Sequence, residues 1–309
     1  MEIIYLKGDK LDIHDPICSA VGFFDGLHLG HMALIHKVQD ISKNKGYKTA
    51  LMTFNHHPLF VLGKMDEEKY MTSMDDRISI LEKENIDYLF IIEFSREVAQ
   101  LSPDDFIEKY LLNSHICHVV CGFDYRFGYK NSGNIQTLQD CLKLDVSVVD
   151  EVIYQEEKIS SSRIRRLLEI GQVDDVHMLL GHNYRILGKV ISGRHIGHSI
   201  GFPTANVDYS SYLLPKRGVY VVKFYVNDHC YMGMCNIGYN PTFTVLDKPS
   251  MEVYVLDFDQ NIYDQYVTVE FCSLIRFESS FKTKEQLIRQ LNLDEKYVRE
   301  YFENKMLDS

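Results

Sequence analysis

Near residue 183 the hydrophobic pattern changes period, and that change restricts the architectures open to the chain. Upstream, strand-like runs alternate with helix-like ones. "SAVGFF" leads into "HMALIHKVQDI", where Leu34, Ile35, Val38 and Ile41 fall at helical spacing; "KTALMTF", "DDRISILEKE" and "DYLFII" follow. "SPDDFIEKYLL" offers Ser102 as N-cap and Pro103 at the first helical position, and "HVVCGF", "IQTLQDCLK" and "VSVVDEV" complete the series. Such alternation implies an α/β fold, a parallel sheet with helices on its faces and ligands at the carboxyl ends of its strands. Downstream, strand follows strand. "GVYVVKFYV" and "CYMGMCNIGYN" flank the hairpin turn "NDH", "MEVYVLDF" and "YVTVEFCSLIRF" continue, and the strong helix is "KTKEQLIRQLNLDEKYVREYFENK". This half reads as a small antiparallel β-barrel with a closing helix. No Pro- or Ser-rich linker marks the junction, so the switch itself divides the chain into residues 1–183 and 184–309. A length of 309 residues also exceeds the roughly 250–300 that one core serves.

Composition narrows the function. A formal net charge of −11 argues against a general nucleic-acid binder, whose footprint is basic, but permits a local basic pocket for a small phosphate ligand. No apolar run reaches the roughly 18 residues of a membrane helix, and "MEIIYLKGDK" has no signal-peptide pattern. Seven scattered cysteines without a CxxC suit reduced thiols in a cytoplasm. Cys117, His118 and Cys121 are close in sequence, but "HICHVVCG" reads as a buried strand whose successive side chains diverge, so core packing outweighs a metal site.

The stretch "VGFFDGLHLGH" places His28 and His31 where a strand ends and a helix begins, with Gly26 and Gly30 permitting close backbone approach. A helix start presents free N–H groups, so two imidazoles there suit phosphate oxygens. Zinc is the rival; HExxH is absent, and His56 and His57 are adjacent on an extended segment and diverge. A second anion site is legible in "KISSSRIRRLLEI", with Ser160 to Ser162 at a helix start and Arg163, Arg165 and Arg166 following; an ordinary N-cap with a solvated basic face is equally compatible. In the second half, Gly193, Gly197 and Gly201 punctuate a loop that can wrap phosphates through backbone N–H groups. Thr204 and Asn206 are hard oxygen donors facing one way in an extended segment, which suits Mg²⁺ carrying nucleotide phosphates. Alternation puts Glu252 and Tyr254 on one strand face, where Glu252 is either a surface group or a general base.

"HLGH" with the serine- and basic-rich segment resembles the HxGH nucleotidyltransferase superfamily, and "KISSS" is similar to the KMSKS loop of class I aminoacyl-tRNA synthetases; the acidic charge and the lack of an anticodon-binding region count against a synthetase. Over nearly all 309 residues the chain resembles the prokaryotic bifunctional riboflavin kinase/FMN adenylyltransferases (FAD synthetases). The N-terminal half does so through "GFFDGLHLGH", "TFNHHP", "GFDYRFG" and "ISSSRIRRLL", the C-terminal half through "GFPTAN", "LLPKRGVY", "NIGYNPTF" and "MEVYVLDFD".

The resemblance implies a Rossmann-like nucleotidyltransferase domain followed by a riboflavin-kinase barrel. It implies small-molecule partners and cofactors: riboflavin, FMN, FAD and ATP, with Mg²⁺. No nucleic acid or membrane enters, and oligomeric state is left open. Glu252 would take the riboflavin hydroxyl proton; Gly193, Gly201, Thr204 and Asn206 would bind nucleotide, with Mg²⁺ on Thr204 and Asn206; and Asn236, Pro241 and Thr242 would form the flavin side. In the other half, His28 and His31 would act on the ATP phosphates beside Gly22 and Phe23; Ser161, Ser162 and Arg165 would hold the triphosphate; and His57 and Asp124 would line the FMN pocket. The chain departs from the usual family pattern at His56 (proline), Tyr125 (phenylalanine), Ser162 (threonine), Tyr254 (histidine) and Asp264 (glycine). The alternatives are a paralogue with one working half and a flavin- or nucleotide-binding regulator.

Overall fold

The apolar runs of the first half carry side chains that need cover on two sides, and they form a parallel sheet with a core on each face. In the computed structural model, residues 1–192, 201–239 and 249–307 are described, and the chain divides into two compact units, 1–161 and 162–309. The first unit contains β1 (Glu2–Leu6), β2 (Ile17–Val21), β3 (Lys48–Phe54), β4 (Tyr88–Ile92), β5 (Ile116–Gly122) and β6 (Asp145–Val149), in the order β1-β4-β3-β2-β5-β6 with every pairing parallel. Alternation along each strand sends Leu89 and Ile91 to one face, with Leu34, Ile35 and Val38 of α1 (Leu29–Lys45), and Phe90 and Ile92 to the other, with Phe106 and Tyr110. Burial on both faces explains why these strands read as continuous apolar runs.

The remaining elements of this unit are α2 (Pro58–Val61), α3 (Met74–Lys83), α4 (Pro103–Phe106), α5 (Ile135–Gln139) and the hairpin β7 (Ile153–Tyr154) with β8 (Glu157–Lys158). Two expected helices change form. "SPDDFIEKYLL" starts at the expected cap, Ser102, but after one α-turn it widens over Ile107–Leu111 and then tightens over Leu112–Ser114, which brings Phe106, Ile107, Tyr110 and Leu111 together into the core. α5 stops at Gln139 because the chain must turn at Cys141–Leu144 to enter β6. The edge strand β1 had no clear alternation to announce it. Cys121 packs in the core while His118, on the opposite strand face, bonds Ser147 Oγ at 2.9 Å.

The second unit takes up α6 (Ser161–Ile170) from Ser162 onward. It continues with α7 (Val173–Leu180), β9 (Tyr184–Ile191), β10 (Thr204–Asp208), β11 (Gly218–Val226), β12 (His229–Gly238), β13 (Ser250–Val255), β14 (Tyr266–Phe277) and α8 (Lys284–Leu307). The strands close an antiparallel barrel in the order β10-β13-β12-β11-β14-β9. The expected hairpin turn is present: Asn227 and Asp228 adopt positive φ (49° and 61°) and leave Val226 opposite His229. Gly188 is where β9 and β10 approach most tightly, since a Cβ there would lie 2.5 Å from the Asp208 carbonyl oxygen. α8 contributes Val298 to an outer apolar cluster with Val219, Val221 and Met234, and the buried Asp294 receives Arg276 in a forked pair at 2.8–3.1 Å. β9, the first barrel strand, begins at Tyr184, whereas the compact units divide between Ser161 and Ser162.

Candidate active sites

In the first unit the chain builds outward from β2 in one direction through β3 and β4, then returns to add β5 and β6 on the other side. The loops after β2 and β5 therefore diverge, and open sheets bind ligands at such a switch point. A cavity of about 240 Å³ lies there, lined by Gly22, Phe24, His28, Gly30 and His31 after β2, Phe123, Asp124 and Tyr125 after β5, and Lys158 to Ser161 after β8. It gathers Gly22, His28, His31, Asp124 and Ser161 from the expected set. Phe23 and His57 lie outside the lining, edge to face with each other at 4.7 Å, with His57 capping α2. Ser162 and Arg165 belong to the stretch of α6 in the second unit.

His28 is the N-cap of α1, and its Nδ1 accepts the backbone N–H of His31 at 3.3 Å. The two rings stack at 3.7 Å, and His31 meets Phe24 edge-on at 5.1 Å. Burial holds the His28 imidazole down to about 4, helped by the Lys158 charge. Burial, then His28, Arg77 and Lys158, holds His31 well below the ordinary range. Both rings are therefore neutral near pH 7, and with Nδ1 accepting, the His28 proton resides on Nε2. The pair is a set of neutral N–H donors at a helix start rather than two cations.

Two predictions follow from this packing. Gly30 exists because the His28 ring lies where its side chain would be: a Cβ would stand 3.1 Å from Cε1 and Nδ1. Gly30→Ala should displace that ring and lower turnover at this site by about tenfold or more, since small misplacements of positioned groups are costly; steady-state kinetics of the reaction at this site check it. The second concerns acid. An unfolded chain protonates His28 near 6.5, the folded chain only near 4. Stability is therefore full above 6.5 and declines as pH falls between those values, by about 3 kcal/mol for this group. Melting temperature should fall more steeply from pH 6.5 to 4 in the wild type than in His28→Gln; equal slopes would contradict it.

The loop leading to His28 is held by residues that the sequence did not single out. Asp25, buried, accepts the backbone N–H groups of Met71 (2.8 Å) and Thr72 (3.2 Å), while Thr72 Oγ1 accepts Gly26 N–H at 2.8 Å. Thr53 Oγ1 and Arg77 Nη1 both donate to the Phe23 carbonyl, at 2.9 and 3.1 Å. Phe24 and Leu27 take positive φ of 56° and 41°, strain of about 1–3 kcal/mol each that the surroundings must enforce. Ser161 Oγ donates to the Asp25 carbonyl at 2.9 Å, tying the serine segment to this loop. Lys158 pairs with Asp124 and stands 4.4 Å over the Phe123 ring. Asp25 lies inside "VGFFDGLHLGH" and Arg77 inside "DDRISILEKE", and no spacing pattern in either stretch links them.

In the second unit, β13 pairs with β10 on one side and β12 on the other, and register sets Glu252 directly opposite both Asn206 and Asn236. Thr204 lies opposite Tyr254, two residues along; Thr204 and Asn206 face one way, as their spacing predicted, and the register puts them on the face that carries Glu252. Thr204 Oγ1 donates to Glu252 Oε2 at 3.5 Å, and Ser250 Oγ lies 3.3 Å from Oε1 and 3.2 Å from the Gly238 carbonyl. Tyr254, which departs from the family pattern, packs edge-on against Phe202 at 5.0 Å. Hydroxyl, amide and carboxylate oxygens side by side form a hard donor set that fits Mg²⁺. Gly201 has φ +84°, while Gly193, Pro241 and Thr242 lie outside the described residues.

Both halves of the chain match known protein families. Residues 11–163 match the FAD synthetase family and residues 180–302 the riboflavin kinase family. The bifunctional riboflavin kinase/FMN adenylyltransferase of Listeria monocytogenes is 40% identical over 316 residues, covering 98% of each chain. That of Bacillus subtilis is 40% identical over 291 residues, covering 92% of each. A crystal structure described as a macrolide-efflux protein from Streptococcus pneumoniae superposes with a TM-score of 0.89 at 30% identity, covering 97% of this chain and 99% of that one. Among the described residues no helix is long and apolar enough to cross a membrane. With two family matches in tandem and relatives aligned end to end, the chain belongs to the bifunctional riboflavin kinase/FMN adenylyltransferases.

Proposed function

We propose that the chain performs two successive ATP-dependent transfers, riboflavin to FMN and then FMN to FAD. The observation that carries this reading is that both families match in tandem with both sets of reactive side chains present. We assign residues 184–309 to the kinase and 1–183 to the adenylyltransferase, in keeping with β9 beginning at Tyr184.

In the kinase, Glu252 accepts the proton of the riboflavin 5′-hydroxyl as its oxygen bonds to the γ-phosphorus of ATP and ADP leaves. The Thr204 and Ser250 hydroxyls orient the carboxylate. Thr204 and Asn206 would hold Mg²⁺, which would supply positive charge against the nucleotide phosphates. By the family resemblance, Asn236, Pro241 and Thr242 contact the flavin.

In the adenylyltransferase, a phosphate oxygen of FMN attacks the α-phosphorus of a second ATP and pyrophosphate leaves. The attacking group is already anionic, so no base is required. His28 and His31 donate N–H to the oxygens on which charge grows. Ser161 contacts the triphosphate, Gly22 borders the nucleotide and Asp124 contacts FMN. The partners are small molecules in the cytoplasm, without nucleic acid or membrane.

The test is a time course of riboflavin with Mg-ATP, resolved by chromatography. FMN followed by FAD is expected. FMN alone would mean a silent adenylyltransferase, FAD from added FMN alone a silent kinase, and binding without turnover a regulator.

A further inference from the structure

Arg77 is a fully buried cation, 2% exposed, one turn into α3, whose start is fixed by a reciprocal cap between Ser73 and Asp76. Its guanidinium lies 3.9 Å from Asp25 Oδ1 and donates to the Phe23 carbonyl at 3.1 Å and the Thr72 carbonyl at 3.3 Å. Its planar group also stands over two rings, Phe23 at 4.9 Å and Tyr70 at 5.5 Å. Every one of these contacts falls on the chain just before His28 or on the segment that braces it. Phe24, directly after the carbonyl that Arg77 holds, has positive φ, a conformation that persists only where neighbours enforce it. A flat fork holds two carbonyls, faces a carboxylate and stacks on rings in one fixed plane; an ammonium on a flexible stem lacks that planar geometry.

We propose that Arg77 is a positioning residue for adenylyl transfer, which clamps residues 23–26 against Thr72 so that His28 and His31 meet the nucleotide phosphates in a fixed arrangement. This rests on the two-step reading above. The charged groups around the histidine pair are Lys158 from β8, Arg77 from α3 with Asp25 beyond it, and the carboxylates of Asp124, Asp150 and Glu151 that line the same cavity. Arg77 and Lys158 both oppose an imidazolium, so loss of Arg77 makes His31 easier to protonate.

The test uses the full-length chain with FMN and Mg-ATP, and reads riboflavin kinase activity in the same preparation. Arg77→Met should lower kcat for FAD formation by about 10- to 100-fold, leave FMN formation unchanged, and move the acid limb of the pH profile to higher pH. Arg77→Lys keeps the charge without the fork; it should retain the wild-type acid limb while recovering only part of kcat. Thr72→Val removes the Gly26 acceptor without stranding a buried charge, and should also lower kcat. Wild-type kcat in Arg77→Met or in Arg77→Lys, or an acid limb that stays put in Arg77→Met, would overturn the inference. Should Arg77→Met not fold, the Arg77→Lys and Thr72→Val results decide. Failure of the wild type to make FAD from FMN would instead overturn the functional reading itself.

Discussion

Glu252→Gln should abolish FMN formation, by about 10²–10⁴-fold, while FAD formation from supplied FMN continues at the wild-type rate. The substitution keeps the shape of the side chain, so its hydrogen bonds with Thr204 and Ser250 can be retained, but an amide cannot accept the riboflavin hydroxyl proton. The barrel should therefore remain folded with substrate bound and unreactive. Separate assays of riboflavin phosphorylation and FMN adenylylation check this. Equal loss of both activities would contradict the division of labour between the units.

The converse holds in the other unit. His28→Ala combined with His31→Ala should leave FMN formation intact and reduce FAD formation by about 10²–10³-fold or more, the loss typical of removing even one preorganised donor from a developing charge. The neutral state of both rings bears on how this loss is distributed. Uncharged donors contribute modestly to ground-state ATP and more where charge accumulates, so the effect should fall on kcat more than on the KM for ATP. Unchanged FAD output in the double variant would refute the phosphate-holding role.

Much of this organisation was legible in the residues. Strand and helix alternation announced the parallel sheet because strands buried on both faces need covering helices, and the shift to consecutive strands announced the barrel. "YVTVEFCSLIRF" and "GVYVVKFYV" coincide with β14 and β11 from end to end. That Thr204 and Asn206 face one way followed from period-two alternation; that Glu252 shares their face, opposite Asn206 and Asn236, is a matter of strand register. Less visible were elements whose form depends on packing. The widened turn at Ile107–Leu111 is not encoded in local propensity; it arises because four apolar side chains must reach one core. Asp25 and Arg77 carry no signal as a pair, since 52 residues of chain separate them and only the fold brings their side chains to 3.9 Å.

By itself the sequence determined the two architectures, the strand-to-helix junction at His28 and His31, and the carboxylate face of β13. These rest on local periodicity and on residue chemistry, which a linear string contains. The tertiary structure decided the charge state and bracing of the histidine pair. Neutral rings require burial beside Lys158 and Arg77, and the strained loop requires Asp25, Thr72 and Arg77 to meet across the top of the sheet. Desolvation and long-range contact are properties of packing, so they exist only once the chain has folded.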